Sequence, residues 1–103
     1  MRIKQIKEIE ILSSKFTIIW NKNHNGGKFS WSDATIEIGI KDYKKDPLYT
    51  LNILNHELME LILVGMGCRY GNGREENYLF NYKHQSFENA IQIFTQAQSK
   101  FLY

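Results

Sequence analysis

Residues 34–64 read ATIEIGIKDYKKDPLYTLNILNHELMELILV, and the fold is decided where the apolar rhythm changes inside this stretch. From Ala34 to Ile40 every second residue is apolar: Ile36, Ile38 and Ile40 share one face, and Thr35, Glu37 and Gly39 share the other. A strand that is apolar on one face only fits an antiparallel sheet with one side covered. At Asp46-Pro47 the period lengthens. Asp46 is suited to cap the free amides of a first helical turn. Pro47 fits the first helical position, where its missing N–H has no partner to lose. The spacing then predicts a helix to about Val64, stopped by Gly65 and Gly67.

Working outward, Lys15 to Trp20 is rich in β-branched and aromatic residues and reads as a strand. Ile6 to Leu12 holds Ile9 and Ile11 at strand spacing, although Ile3, Ile6 and Ile9 equally suit a helical turn. Between these and residue 34, Asn25-Gly26-Gly27 is a strong turn signal that permits positive φ. Beyond the central helix, Cys68 to Glu76 reads as a Gly- and charge-rich loop and Tyr78 to Tyr82 as a short aromatic strand. A last helix is expected from about Gln85 to Leu102, with Phe87, Ala90, Ile91, Phe94, Ala97 and Phe101 at helical spacing. The expected order is β-β-β-α-β-α, or the same with a helical first element. Such an order gives an α+β domain in which two main helices pack on one face of a small, mostly antiparallel sheet. No repeat or linker divides the chain, so residues 1–103 are expected to form a single domain.

Composition limits the function classes. With 43% hydrophobic and 14% aromatic residues, the 103-residue chain has the material for one modest core. The formal net charge of +2 is too small to argue for a nucleic-acid or membrane partner, and the basic residues are scattered, with only Lys44-Lys45 adjacent. Cys68 stands alone, which excludes an intramolecular disulfide and a Cys-based zinc site. The start lacks the apolar region of a signal peptide, and Leu61 to Val64, the longest apolar run, is far too short to span a bilayer. The expected location is therefore cytoplasmic. The abundance of Ile, Lys and Asn fits an AT-rich coding sequence, as in a low-GC bacterium or its phage.

The chemistry is concentrated in His56-Glu57-Leu58-Met59-Glu60. On a helical wheel Leu51, Leu54, Leu58, Leu61 and Ile62 fill one broad arc. His56, Glu57 and Glu60 crowd into roughly 100° on the opposite side, flanked by Ile53, Leu63 and Val64. Carboxylates in such apolar surroundings are costly unless paired, protonated or bound to a metal. His56 and Glu60 lie one turn apart and can converge on one ion. His84, between the aromatic strand and the last helix, is the candidate third ligand. His56, Glu60 and His84 would form a two-histidine, one-carboxylate set with an open position, a donor set suited to catalytic zinc. Such an ion lowers the pKa of bound water toward about 7, and Glu57 is placed to act as general base.

This helix resembles that of the zincin metallopeptidases, whose active helix carries His-Glu-x-x-His with the glutamate as base. It is similar in scale to the minimal zincin-like domains of bacteria and phages. The resemblance covers about residues 34 to 90. It implies His56 as metal ligand, Glu57 as base, and Tyr82 or Tyr78 in the place of the group that steadies the oxyanion. In the family a strand with an exposed edge precedes the active helix and aligns the substrate backbone, and Ala34 to Ile40 stands in the matching place. The chain departs from the pattern at Glu60, where the family has its second histidine.

Two alternatives stay open at this stage. In the first, Glu57 and Glu60 reach the surface and His56 bonds a tyrosine or a backbone carbonyl. In the second, the protein is a non-enzymatic phage or mobile-element domain that docks a host protein through an edge strand, Ala34 to Ile40 or Tyr78 to Tyr82. Either way the expected partner is a peptide or protein. Of the remaining residues, His24 reads as an exposed loop histidine and Cys68 as an inert thiol, while Trp20, Trp31, Phe80 and Phe94 read as core. Gly65-x-Gly67 and Gly71-x-Gly73 lack the flanking strand and helix of a phosphate loop.

Overall fold

The structure is a computed structural model that describes residues 2–67, 69–71, 78–80 and 84–103; of residues 69–71, 78–80, 84 and 87 it describes the backbone alone. Ile9 and Ile11 point inward and Glu8 and Glu10 outward in β1 (Glu8–Ile11), so the first element is a strand. Leu12 and Ser13, both at positive φ, turn the chain into β2 (Ser14–Asn21), which pairs antiparallel with β1. Two successive positive φ values match the right-handed strand twist of a two-residue hairpin. Here they occur without Gly or Asn, so the turn had no signature in the sequence.

After β2 the chain does not form a second hairpin. Residues 22–26 carry it past one strand position, with Gly26 at φ +94°, into β3 (Gly27–Ser30). β4 (Thr35–Gly39) then enters the gap, antiparallel to β3 and parallel to β2. The sheet order is β1-β2-β4-β3. The sheet is therefore mixed: its outer ladders are antiparallel, as expected, and its central ladder is parallel. The alternation of Ala34 to Ile40 gave the right faces, with Ile36 and Ile38 fully buried, but it carries no information on strand direction. β3 was not foreseen because Phe29 is its one large apolar residue.

Asp46 caps α1 (Pro47–Gly65), its carboxylate accepting from the Tyr49 amide at 3.2 Å, with Pro47 in the first turn. Leu54, Leu58, Leu61 and Ile62 are fully buried between this helix and the sheet. Gly65, expected as part of a helix stop, is the last helical residue, and a Cβ there would lie 2.3 Å from Cζ2 of Trp31. The Trp31 ring fills that space, stacks edge-on against Phe16 and donates from Nε1 to the Leu61 carbonyl. The segment expected as a loop after α1 contains a short strand, β5 (Arg69–Gly71), antiparallel to β6 (Tyr78–Phe80). Residues 81 and 82 of the expected aromatic strand lie outside the described residues.

The last helix, α2 (His84–Ser99), ends before Leu102 because the chain turns to return to the N-terminal segment. Lys4 N–H donates to the Phe101 carbonyl, and Ile3 bridges Leu102. Ala90, Ala97 and Phe101 are buried, whereas Ile91 is 40% exposed despite its helical spacing. Both helices pack against the sheet, and the face bearing Phe16, Ile18, Ile36 and Ile38 joins Leu54, Leu58 and Phe101 in one core. The opposite face carries Glu8, Glu10, Lys15, Thr17 and Lys28, all exposed. Among the described residues no helix is long and apolar enough to cross a membrane.

Candidate functional site

The 3.6-residue period that buries Leu54, Leu58 and Leu61 turns His56 outward and leaves Glu60 at the boundary. The His56 side chain is 63% exposed and that of Glu60 24%. They meet: His56 Nε2 lies 2.7 Å from Glu60 Oε1, one turn along the helix. Glu57 takes a different course. It is 7% exposed and faces β3, where a Cβ on Gly27 would stand 2.6 Å from its Cγ and 3.1 Å from Cγ2 of Ile53. Only a glycine at position 27 lets the strand approach the helix so closely at the acidic residue. The sequence showed Gly27 as part of a turn and gave no sign that it lies over Glu57.

The strand at the sheet edge beside this part of α1 is β3 and not β4. Ala34 to Ile40 was expected to present an exposed edge, but β4 is hydrogen-bonded on both sides, to β2 and β3. Its backbone groups are spent within the sheet, and nothing can add to it. β3 is the edge on that side of the sheet, and it is β3 that flanks Glu57.

His84 is the first residue of α2, and its side chain lies outside the described residues. α2 reaches the His56 turn through Gln98, whose Nε2 donates to Asn55 Oδ1 at 2.7 Å. Gln98 is fourteen residues, about 21 Å along a helix, from His84. Among the described residues no three His, Cys, Asp or Glu side chains gather where they could hold an ion, so the described part of the site is the His56–Glu60 pair. Tyr82 lies outside the described residues, as do Cys68, Glu75 and Glu76, and Tyr78 is described in its backbone alone, as the first residue of β6.

The other singled-out residues have plain surroundings. His24 is exposed in the turn after β2, and its carbonyl accepts from Lys41 N–H. Trp20 donates from Nε1 to the Ile6 carbonyl and meets Phe101 edge-on, as a core residue does. Phe94 is half-buried against the core. Comparison with protein-family models, with curated proteins and with solved structures finds no match to this chain.

Proposed function

We propose that this protein is a zincin-like domain that binds a divalent metal, zinc by its donor set, and hydrolyses a peptide bond with Glu57 as general base. The observation that carries the reading is the meeting of His56 Nε2 and Glu60 Oε1 at 2.7 Å beside the buried Glu57. Ligands of a tetrahedral zinc ion bound at about 2.0–2.1 Å stand roughly 3.3 Å apart. A small rotation of either side chain opens the hydrogen-bonded pair to that spacing, so the two residues fit a metal. His56 and Glu60 would hold the ion, with His84 the third ligand in this reading. The far end of α2, rather than its start, meets Asn55, so the reading rests on His56 and Glu60, and His84 is the member to be tested. A bound ion supplies Lewis acidity that lowers the pKa of water toward about 7. The Glu57 carboxylate would accept the proton, and the free edge of β3 would receive an extended peptide backbone. Tyr82 is assigned, by resemblance alone, to steadying the oxyanion. The lone cysteine, with no partner in the chain for a disulfide, suits the reducing cytoplasm.

The test is the zinc content of protein purified without a histidine tag. Close to one equivalent is expected, falling to background in His56→Ala and in Glu60→Ala, while zinc retained in His84→Ala removes His84 from the ligand set. Less than about a tenth of an equivalent in the unaltered protein refutes the site. Glu57→Gln should keep the zinc and lose peptide hydrolysis; unchanged turnover refutes the base. The second reading, a non-enzymatic domain that docks a host protein by strand addition, is favoured by one observation: among the described residues no strand pairs with the outer side of β3. It is distinguished by partner binding that survives both His56→Ala and Glu57→Gln.

A further inference from the structure

The parallel pairing of β2 with β4 brings their carboxyl ends together, with Asn21 opposite Gly39. Whatever follows each strand therefore emerges at one end of the sheet. Lys22 follows β2; Ile40 and Lys41 follow β4. The next turn, held by Tyr43 N–H on the Ile40 carbonyl and Asp46 N–H on the Asp42 carbonyl, brings Lys44 back to the same place. Gln5 of the N-terminal segment adds a further wall. Gln5, Lys22, Ile40, Lys41, Tyr43 and Lys44 line an open crevice of about 440 Å³. Crevices at the carboxyl ends of parallel strands, and cavities of roughly 300–1,000 Å³, are where open sheets take small ligands.

We propose that this cavity binds a phosphate-bearing ligand of nucleotide size. Three exposed lysines line it and no acidic residue does. Of the nearby acids, Asp42 accepts from Asn25 Nδ2 and Asp46 caps α1, and among the described residues neither is ion-paired with these lysines. Among the described residues Lys22, Lys41 and Lys44 take part in no ion pair. In a chain whose basic residues outnumber its acidic ones by only two, 13 against 11, this is a local excess of positive charge. Three like charges facing one cavity repel each other unless an anion sits among them. Two neutral donors complete the site. Tyr43 Oη accepts from Ile3 N–H at 2.7 Å, which fixes the hydroxyl and leaves its own proton to donate. The Gln5 amide offers two more. Ile40 and the Tyr43 ring supply an apolar wall, so the ligand is a phosphate ester and not orthophosphate alone. A nucleic-acid backbone shares the phosphate chemistry, but it is bound along a stripe of cations, whereas these three converge on one cavity.

The test uses the full chain at low salt, titrated with inorganic pyrophosphate, with adenosine diphosphate and with a twelve-residue oligothymidylate. Calorimetry and the thermal midpoint are read together. Pyrophosphate and the nucleotide should bind saturably, with dissociation constants below about 1 mM, and raise the midpoint. Each of Lys22→Gln, Lys41→Gln and Lys44→Gln should weaken binding about five-fold, as expected for an exposed charge near a phosphate. The combined variant should lose binding while its own midpoint stays level or rises, because the mutual repulsion of the three lysines is gone. Lys15→Gln, on the outer sheet face beside Glu8, should bind like the unaltered protein. The proposal is overturned by an absence of saturable binding, by equal weakening in Lys15→Gln, or by binding of the oligonucleotide without the nucleotide. None of these outcomes depends on the metal site, since neither His56 nor Glu60 lines the cavity.

Discussion

Thr50 shows what a single buried atom can cost. It is fully buried near the start of α1, and among the described residues its Oγ1 has no hydrogen-bond partner. An unsatisfied buried hydroxyl carries its desolvation cost with nothing to offset it, while valine has the same shape and a similar helix propensity. Thr50→Val should therefore raise the unfolding free energy by about 1 kcal/mol, read as a higher urea midpoint with an unchanged slope. A loss of that size would mean that the hydroxyl is bonded after all. The same residue-level reasoning shows how much of the candidate site was legible beforehand. The meeting of His56 and Glu60 follows from helical period alone, because both residues belong to one element. The burial of Glu57 beneath Gly27 does not, since it depends on a strand thirty residues earlier in the chain.

At the scale of elements, sequence reading succeeded where a segment carries its own signal. Asp46-Pro47 opened α1 as expected, and the alternating isoleucines of β4 face the core. It failed where an element is defined by its neighbours. β3 holds one large apolar residue, Phe29, and β5 lies in a Gly- and charge-rich stretch, so neither shows the alternation that Ile9 and Ile11 give the equally short β1. The edge expected at Ala34 to Ile40 belongs to β3, because strand order is set by the packing of the whole sheet. Gly39 illustrates the coupling. The turn after β2 folds over the end of β4, with Gly39 N–H donating to the Gly26 carbonyl. A Cβ at position 39 would stand 2.3 Å from the His24 carbonyl oxygen and 2.7 Å from the Asn25 Cα. Those are backbone atoms and cannot swing aside as a side chain can. Gly39→Ala should cost about 1–3 kcal/mol, seen as a lowered denaturation midpoint. A midpoint equal to or above that of the unaltered protein would show that the turn moves freely.

For the molecule as a whole, the closing contact is made at the chain ends. Phe101 is fully buried, meets the Trp20 ring edge-on at 6.0 Å, and lies where Lys4 and Ile3 join the last residues. Phe101→Ala should cost about 3–5 kcal/mol, a large part of the roughly 5–15 kcal/mol that holds a small domain folded. Because the buried residues form one cluster, near-ultraviolet and far-ultraviolet circular dichroism should lose their signals at one shared, lowered temperature. Two separate transitions would contradict a single cooperative core. What the sequence by itself determined about this protein is local: the inward faces of β1 and β4, the leucine stripe and capped start of α1, and the His56–Glu60 turn. These follow from periods and propensities written within a few neighbouring residues. Only the tertiary structure decided that β2 and β4 run parallel, that β3 takes the edge beside Glu57, and that Lys22, Lys41 and Lys44 face one cavity. Each of those depends on which distant segments pair, a choice made by burying the apolar faces of sheet and helices together.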